Sequence, residues 1–180
     1  MILKIVLVLA LVLVGFLIYV ATRAATFRYT RRLLIGAPPA SLFARINDLR
    51  QFQEWNPWAR IDPTCVITYS GPATGVGSAY EWKGNKQVGE GAMTIIESRP
   101  NELIRARMDF RKPFAATHIA EFTFVPEGTQ TLVTWSMSGE NKFIGKLMST
   151  LVDCDKMVGG EFAKGLAALK RLAEHTEQKS

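Results

Sequence analysis

Between Thr64 and Gly139 the apolar residues recur with a period of two, in short runs cut by turn residues. Residues 65–70, 78–83, 88–98, 103–110, 117–125 and 130–138 are the predicted strands. Between them lie SGPATGVG, Gly84-Asn85, Arg99-Pro100-Asn101, Arg111-Lys112-Pro113 and Pro126-Glu127-Gly128, all rich in turn chemistry. Runs so short and evenly spaced predict an antiparallel meander of about six strands, with residues 27–35 as a seventh. The alternation also shows which face is dry. On 103–110, Ile104, Ala106, Met108 and Phe110 share a face against Arg105, Arg107 and Asp109. His118, Ala120, Phe122 and Phe124 do the same against Glu121 and Thr123.

A sheet with one dry face needs a cover. The C-terminal segment supplies a predicted long helix, starting at 147 or 151 and ending near 174. Leu151, Val158, Phe162, Leu166, Leu169 and Leu172 form its apolar stripe. Before the meander, PPASLFARINDL reads as a short helix whose prolines pre-set the first turn, and 49–55 as a second, stopped by Pro57. EWNPWARIDP then reads as a loop carrying Trp55 and Trp58, expected to wall or lid the interior. The class is α+β: a curved antiparallel sheet of about seven strands around a long C-terminal helix.

The N-terminus is different in kind. Ile5 to Ala21 is an uncharged apolar run of 17 residues. As a helix it is ~26 Å long, close to the ~30 Å of a hydrocarbon core, and Lys4 and Arg23 can snorkel to close the gap. Having no polar face, it suits lipid better than a soluble core. The expected division is a transmembrane anchor over 1–25 and a domain over 26–180; a cleaved signal peptide is the alternative. Arg23, Arg28, Arg31 and Arg32 follow the run, and no acid precedes Asp48. The positive-inside rule then favours a cytoplasmic domain on a single-pass inner-membrane protein.

The net charge of +6 is concentrated at that junction, which argues against nucleic acid as a partner. Cys65 and Cys154 share no metal-ligand spacing and read as two lone thiols. The glycine-rich GPATGVG lacks the residues of a phosphate cradle, no metal cluster stands out, and no cofactor is expected.

Three stretches, APPASLFARINDLRQFQEWNPW, YSGPATGVGSAYEWKGNKQVGEG and MVGGEFAKGLAALKRLAE, resemble the helix-grip superfamily. It includes START lipid-transfer domains, the birch-pollen-allergen proteins and the bacterial polyketide cyclase/dehydrase-like (SRPBCC) proteins. The resemblance covers nearly all of 27–174 and is closest to the bacterial branch. It implies an elongated cavity between sheet and long helix, holding a hydrophobic small molecule or lipid. Candidate ligand-binding residues are then Trp55, Trp58, Tyr80, Trp82, Met108, Phe110, His118, Phe122 and Phe162. Core packing is the alternative for each.

Catalytic residues are scarce. His118 is the one weak candidate, as a general base against a backbone-bonded strand-end histidine, with Tyr80 or Glu90 as further acids or bases. The expected function is a membrane-anchored carrier. A cyclase/dehydrase-type enzyme or an envelope or stress interaction module is the alternative. Gly159-Gly160 within the long helix allows a kink, room over a cavity, or close packing.

Overall fold

The computed structural model describes residues 1–177. Seven strands form one antiparallel sheet in the order β1-β7-β6-β5-β4-β3-β2. They are β1 (Thr26–Ile35), β2 (Val66–Ser70), β3 (Ala79–Lys83), β4 (Glu90–Arg99), β5 (Leu103–Lys112), β6 (Ala116–Glu127) and β7 (Gln130–Glu140). The helices are α1 (Ile2–Thr22), α2 (Pro39–Asn47), α3 (Leu49–Trp55), α4 (Pro57–Ile61), α5 (Phe143–Leu151) and α6 (Cys154–Glu177). The meander and the seventh strand are therefore as expected, and β1 closes the sheet by pairing with β7 from Thr26↔Glu140 to Ile35↔Thr131.

Two irregularities bend the sheet. The β4–β5 register shifts between Glu90 and Gly91 and again between Ile95 and Glu97. Each adds local twist, which turns the strands into a concave wall. Gly91 has a second reason to be glycine. A Cβ there would meet the Trp82 ring at 2.5 Å and the Asp109 carbonyl oxygen at 2.6 Å.

The dry and wet faces fall as the alternation demands. Inside, Ile104, Ala106, Phe122, Val133 and Trp135 join one core with Leu42, Ile46, Leu49, Phe52, Leu166 and Leu169 from the helices. Outside, Arg28, Glu121, Arg105, Glu97 and Arg99 make a chain of ion pairs across the strands, at 3.0, 2.7, 2.6 and 3.2 Å. Pairs this exposed add little stability individually, but they commit that face to water.

Two helical expectations are corrected. The segment read as a loop contains α4: Asn56 Oδ1 accepts from the Trp58 amide at 3.2 Å, and Pro57 occupies the first helical position. That proline starts a helix rather than only stopping one. The long C-terminal helix does not begin at 147 or 151. It begins at Cys154, where Asp153 Oδ1 accepts from the Lys156 amide at 2.9 Å, and a separate helix, α5, precedes it. Leu151 belongs to α5 and leaves the stripe, being 65% exposed.

α6 lies chiefly along β1, beside α2, α3 and α4, which cover the rest of the concave face. Close packing sets its two tightest points. A Cβ at Gly159 would collide with the Arg31 guanidinium, and one at Gly165 would meet Trp135 at 2.7 Å and Pro57 at 3.1 Å. Gly160 faces open space. Cys65 and Cys154 are free thiols.

α1 is long and apolar enough to cross a membrane. It is no core helix, since Val20 is its one buried residue and no α1 residue joins the domain core. Only Arg23, Ala24 and Ala25 connect it to β1, and the Asn141 amide donates to the Ala25 carbonyl at 2.7 Å. The ladders Thr26↔Glu140, His118↔Gly139, Phe110↔Ala116, Glu90↔Lys112 and Val66↔Lys83 define what shares this end of the sheet. The start of β1, the end of β7, the β5–β6 turn, the β3–β4 loop and the entry to β2 all lie at the α1 end.

Candidate functional site: an apolar cavity under the helices

The bend of the sheet and the helices above it do not meet everywhere. Between them is a cavity of about 420 Å³, within the ~300–1,000 Å³ usual for small-molecule sites. Its sheet wall is built from alternate residues of successive strands: Tyr80 and Trp82, Met93, Met108 and Phe110, Ala120 and Phe122, then Trp135 and Met137. Its roof comes from Phe52 and Gln53 of α3, Trp58 of α4, and Val158 and Phe162 of α6. Pro63, Gln87, Lys112 and Pro113 are its most exposed lining residues. All four lie at the α1 end of the sheet, where the lining is most open. A second depression beside Arg50 and Gly71 holds only about 70 Å³.

Most of the candidate side chains meet in this one place. Trp58, Tyr80, Trp82, Met108, Phe110, Phe122 and Phe162 all line it. Trp55 does not, which corrects the shared role given to the two tryptophans. Its ring is buried behind the wall, 4.8 Å from Phe52, 5.6 Å from Trp135 and 6.2 Å from Phe122 by ring centroids. The turn at Asn56-Pro57 separates the pair: Trp55 closes α3 toward the core, and Trp58 opens α4 toward the cavity. Trp58 meets Trp135 and Phe162 edge-on at 5.9 and 6.0 Å.

Trp135 was not singled out by the sequence, yet it stacks on Phe162 at 4.3 Å and 16° and joins sheet to α6. Its position in the β7 alternation with Val133 and Met137 was the available signal. Gln53, Phe52, Ala120 and Met137 were missed likewise.

Polar groups are sparse. The Tyr80 phenol is pushed far above its usual pKa, chiefly by burial, and is neutral at any physiological pH. Asn56 Nδ2 donates to Gln53 Oε1 at 2.9 Å, fixing the amide that faces the cavity. At the rim, Asp62 Oδ1 accepts from the Thr64 hydroxyl at 2.7 Å and amide at 3.1 Å, and Oδ2 from the Asn85 amide at 2.6 Å. These donors, the Thr64 hydroxyl foremost, hold its carboxyl below the usual range. Asp62 is a structural tie between the α4–β2 turn and the β3–β4 loop.

Residues 26–174 match the family model described as polyketide cyclase / dehydrase and lipid transport. The chain belongs to that family. Among curated proteins no significant match is found. Solved structures of the same fold include protein CV1439 of Chromobacterium violaceum, 20% identical with a TM-score of 0.55 over 84% of this chain and 99% of that one. Protein MLL2253 of Mesorhizobium loti is 15% identical, with a TM-score of 0.60 over 83% and 98%. A truncated norcoclaurine synthase of Thalictrum flavum is 13% identical, with a TM-score of 0.62 over 84% and 96%. At these identities the likeness is one of fold.

In this member of the polyketide cyclase/dehydrase and lipid transport family, the side chains considered for acid–base work do not converge. Glu90 lies outside the cavity lining, bonded to Lys112 at 2.8 Å and thereby held ionised. His118 is also off the lining, wedged between Phe27 at 4.9 Å and Phe110 at 5.5 Å. A Cβ at Gly139 would overlap its ring. Its Nδ1 is buried without a hydrogen-bond partner, and the polar group acting on the ring is the Thr117 backbone.

Burial pushes the His118 pKa down, opposed only in part by the Thr117 backbone. A lowered pKa means the unfolded chain takes up the proton first on acidification. His118 therefore contributes its full stability above about pH 6.5 and loses it as pH falls toward its folded value. The melting temperature of the wild-type domain is expected to drop on going from about pH 7 to about pH 5, and His118→Phe to flatten that slope. The depressed carboxylates Asp62, Glu81, Glu90 and Glu121 act at lower pH, below about 4.5. A thermal-shift series across pH separates the two windows.

Proposed function

We propose that this chain is a membrane-anchored carrier that holds a hydrophobic small molecule or lipid in the cavity between sheet and helices. One observation carries the reading: an apolar cavity of about 420 Å³ whose most exposed lining residues lie at the α1 end of the sheet. With α1 in the bilayer and the domain on its cytoplasmic side, that end meets lipid rather than bulk water. Partition into such a space is worth ~0.8 kcal/mol per buried methylene, so a hydrocarbon ligand is held without an ionic anchor. The neutral Tyr80 phenol and the Gln53 amide favour a ligand bearing few oxygen atoms.

The experiment is native mass spectrometry with lipid extraction on residues 25–180, the part that contains the whole core. An apolar molecule that co-purifies, or exchanges with added fatty acids, isoprenoid alcohols or fused-ring aromatics, is expected. A domain that stays empty against the whole panel refutes the carrier. Resistance of the full chain to alkaline carbonate extraction tests the anchor separately, and reporter fusions at the C-terminus test orientation.

A further inference from the structure

α5 is amphipathic in reverse. At 100° per residue, Phe143, Ile144, Leu147, Met148 and Leu151 fall within an arc of about 140°, with Lys146 and Ser149 outside it. A helix of a globular protein turns such an arc inward. Here none of its residues is buried, and Phe143, Ile144, Met148 and Leu151 are 47%, 52%, 40% and 65% exposed. The polar side is partly covered, and on the apolar arc only Leu147 is. Lys146 Nζ donates to the Ala21 carbonyl at 2.9 Å, while the Ser149 and Thr150 hydroxyls donate to the Lys146 carbonyl at 3.0 and 2.7 Å.

The place of this helix identifies what its apolar arc faces. α5 packs against α1, and Lys146 is bonded at Ala21, the last residue of the apolar run. We propose that α5 is an interfacial helix that docks on an anionic phospholipid surface, its apolar arc sunk to the boundary of headgroups and acyl chains. The proposal rests on the anchor reading of α1. Once α1 spans the bilayer, α5 lies at the level where the span leaves it, which is where such helices are stable. Charge agrees. Residues 141–152 contain Lys142 and Lys146 and no acid, and Arg23 stands at the end of the span. Phe114, 56% exposed on the β5–β6 turn, adds a further apolar contact at the same end. An exposed patch of this kind, continuous with a lipid-facing helix, calls for a lipid partner. Docking α5 would also hold the cavity rim against the bilayer.

The test uses the full chain in nanodiscs of phosphatidylcholine and phosphatidylglycerol. Cys65→Ala and Cys154→Ala clear the background. Single labels of an environment-sensitive fluorophore then go in through Leu11→Cys, Ile144→Cys or Thr68→Cys, with doxyl-lipids as quenchers. Labels at 11 and 144 are expected to lose most of their emission, and the label at exposed position 68 to keep it. Quenching at 11 but not at 144 overturns the α5 proposal and leaves the anchor standing. No quenching at either position overturns both.

Replacing phosphatidylglycerol by phosphatidylcholine should weaken quenching at 144 alone; an unchanged signal overturns the role given to charge. Ile144→Glu should release a label at 148 from the lipid without altering the melting temperature. A label still quenched there overturns docking through the apolar arc. Oxidative cross-linking between copies through position 144, with no lipid quenching, would assign the face to a second chain and overturn the proposal.

Discussion

Trp55→Ala is expected to destabilise the domain by about 3–5 kcal/mol, the range for removing a fully buried large aromatic side chain. For a domain of this size that lowers the melting temperature by roughly 6–20 °C. The reason is local. Trp55 is 1% exposed and packs on Phe52, Phe122 and Trp135, three rings that themselves line the cavity. Removing it leaves a void that these rings cannot all move to fill. Trp58→Ala should behave differently. Trp58 is half-buried and faces the cavity, so truncation enlarges a space that already exists. A loss of roughly 1–2 kcal/mol in stability is expected, with ligand affinity weaker by about tenfold or more. Equal effects of the two substitutions on both melting temperature and binding would contradict the division of the pair into core and wall.

Filling the cavity should do the reverse. Ala120 is 5% exposed and sits at the centre of the sheet wall, its methyl group directed into the cavity. Ala120→Phe places a ring where the ligand would lie. Binding should fall by at least about 100-fold, while the melting temperature holds or rises, because the new ring gains contacts in place of empty space. Ala106 is the control. It faces Ala120 across the β5–β6 ladder but is fully buried and does not line the cavity. Ala106→Phe should overpack the core and cost about 1–3 kcal/mol. Both variants are read by titrating a fluorescent apolar probe and by thermal denaturation. Unimpaired binding in Ala120→Phe would place the ligand elsewhere.

The strands were legible because period two is a strong signal and each run ended at a glycine, proline or asparagine turn. The long helix was legible from its stripe, although its start was not. Leu151 has the right spacing to continue that stripe, and the break depends on Asp153 capping a new helix. An aspartate there is a visible N-cap signal, but the helical pattern running through it masks the cue. α4 was hidden for a related reason: Asn56-Pro57 ends one helix and starts the next within two residues.

The site was partly legible. Alternation shows which side chains point to the dry face, and seven of the nine candidates do line the cavity. It does not show how far the layers stand apart, so Trp55 in the core and Trp58 on the wall looked alike. His118 was placed correctly on the inner face, but its register opposite Gly139 puts it beyond the cavity, under Phe27. Long-range pairing of this kind has no counterpart in local pattern.

The short connector between α1 and β1 has a consequence for how a carrier could work. Arg23, Ala24 and Ala25 span at most about 10 Å when fully extended, and the Asn141 amide further ties Ala25 to the end of β7. With α1 as the proposed anchor, a domain on so short a leash would not ferry cargo across an aqueous gap to another membrane. On the proposed reading, whatever it lifted from its own leaflet would have to be returned to that leaflet, modified there, or collected by a protein that comes to it.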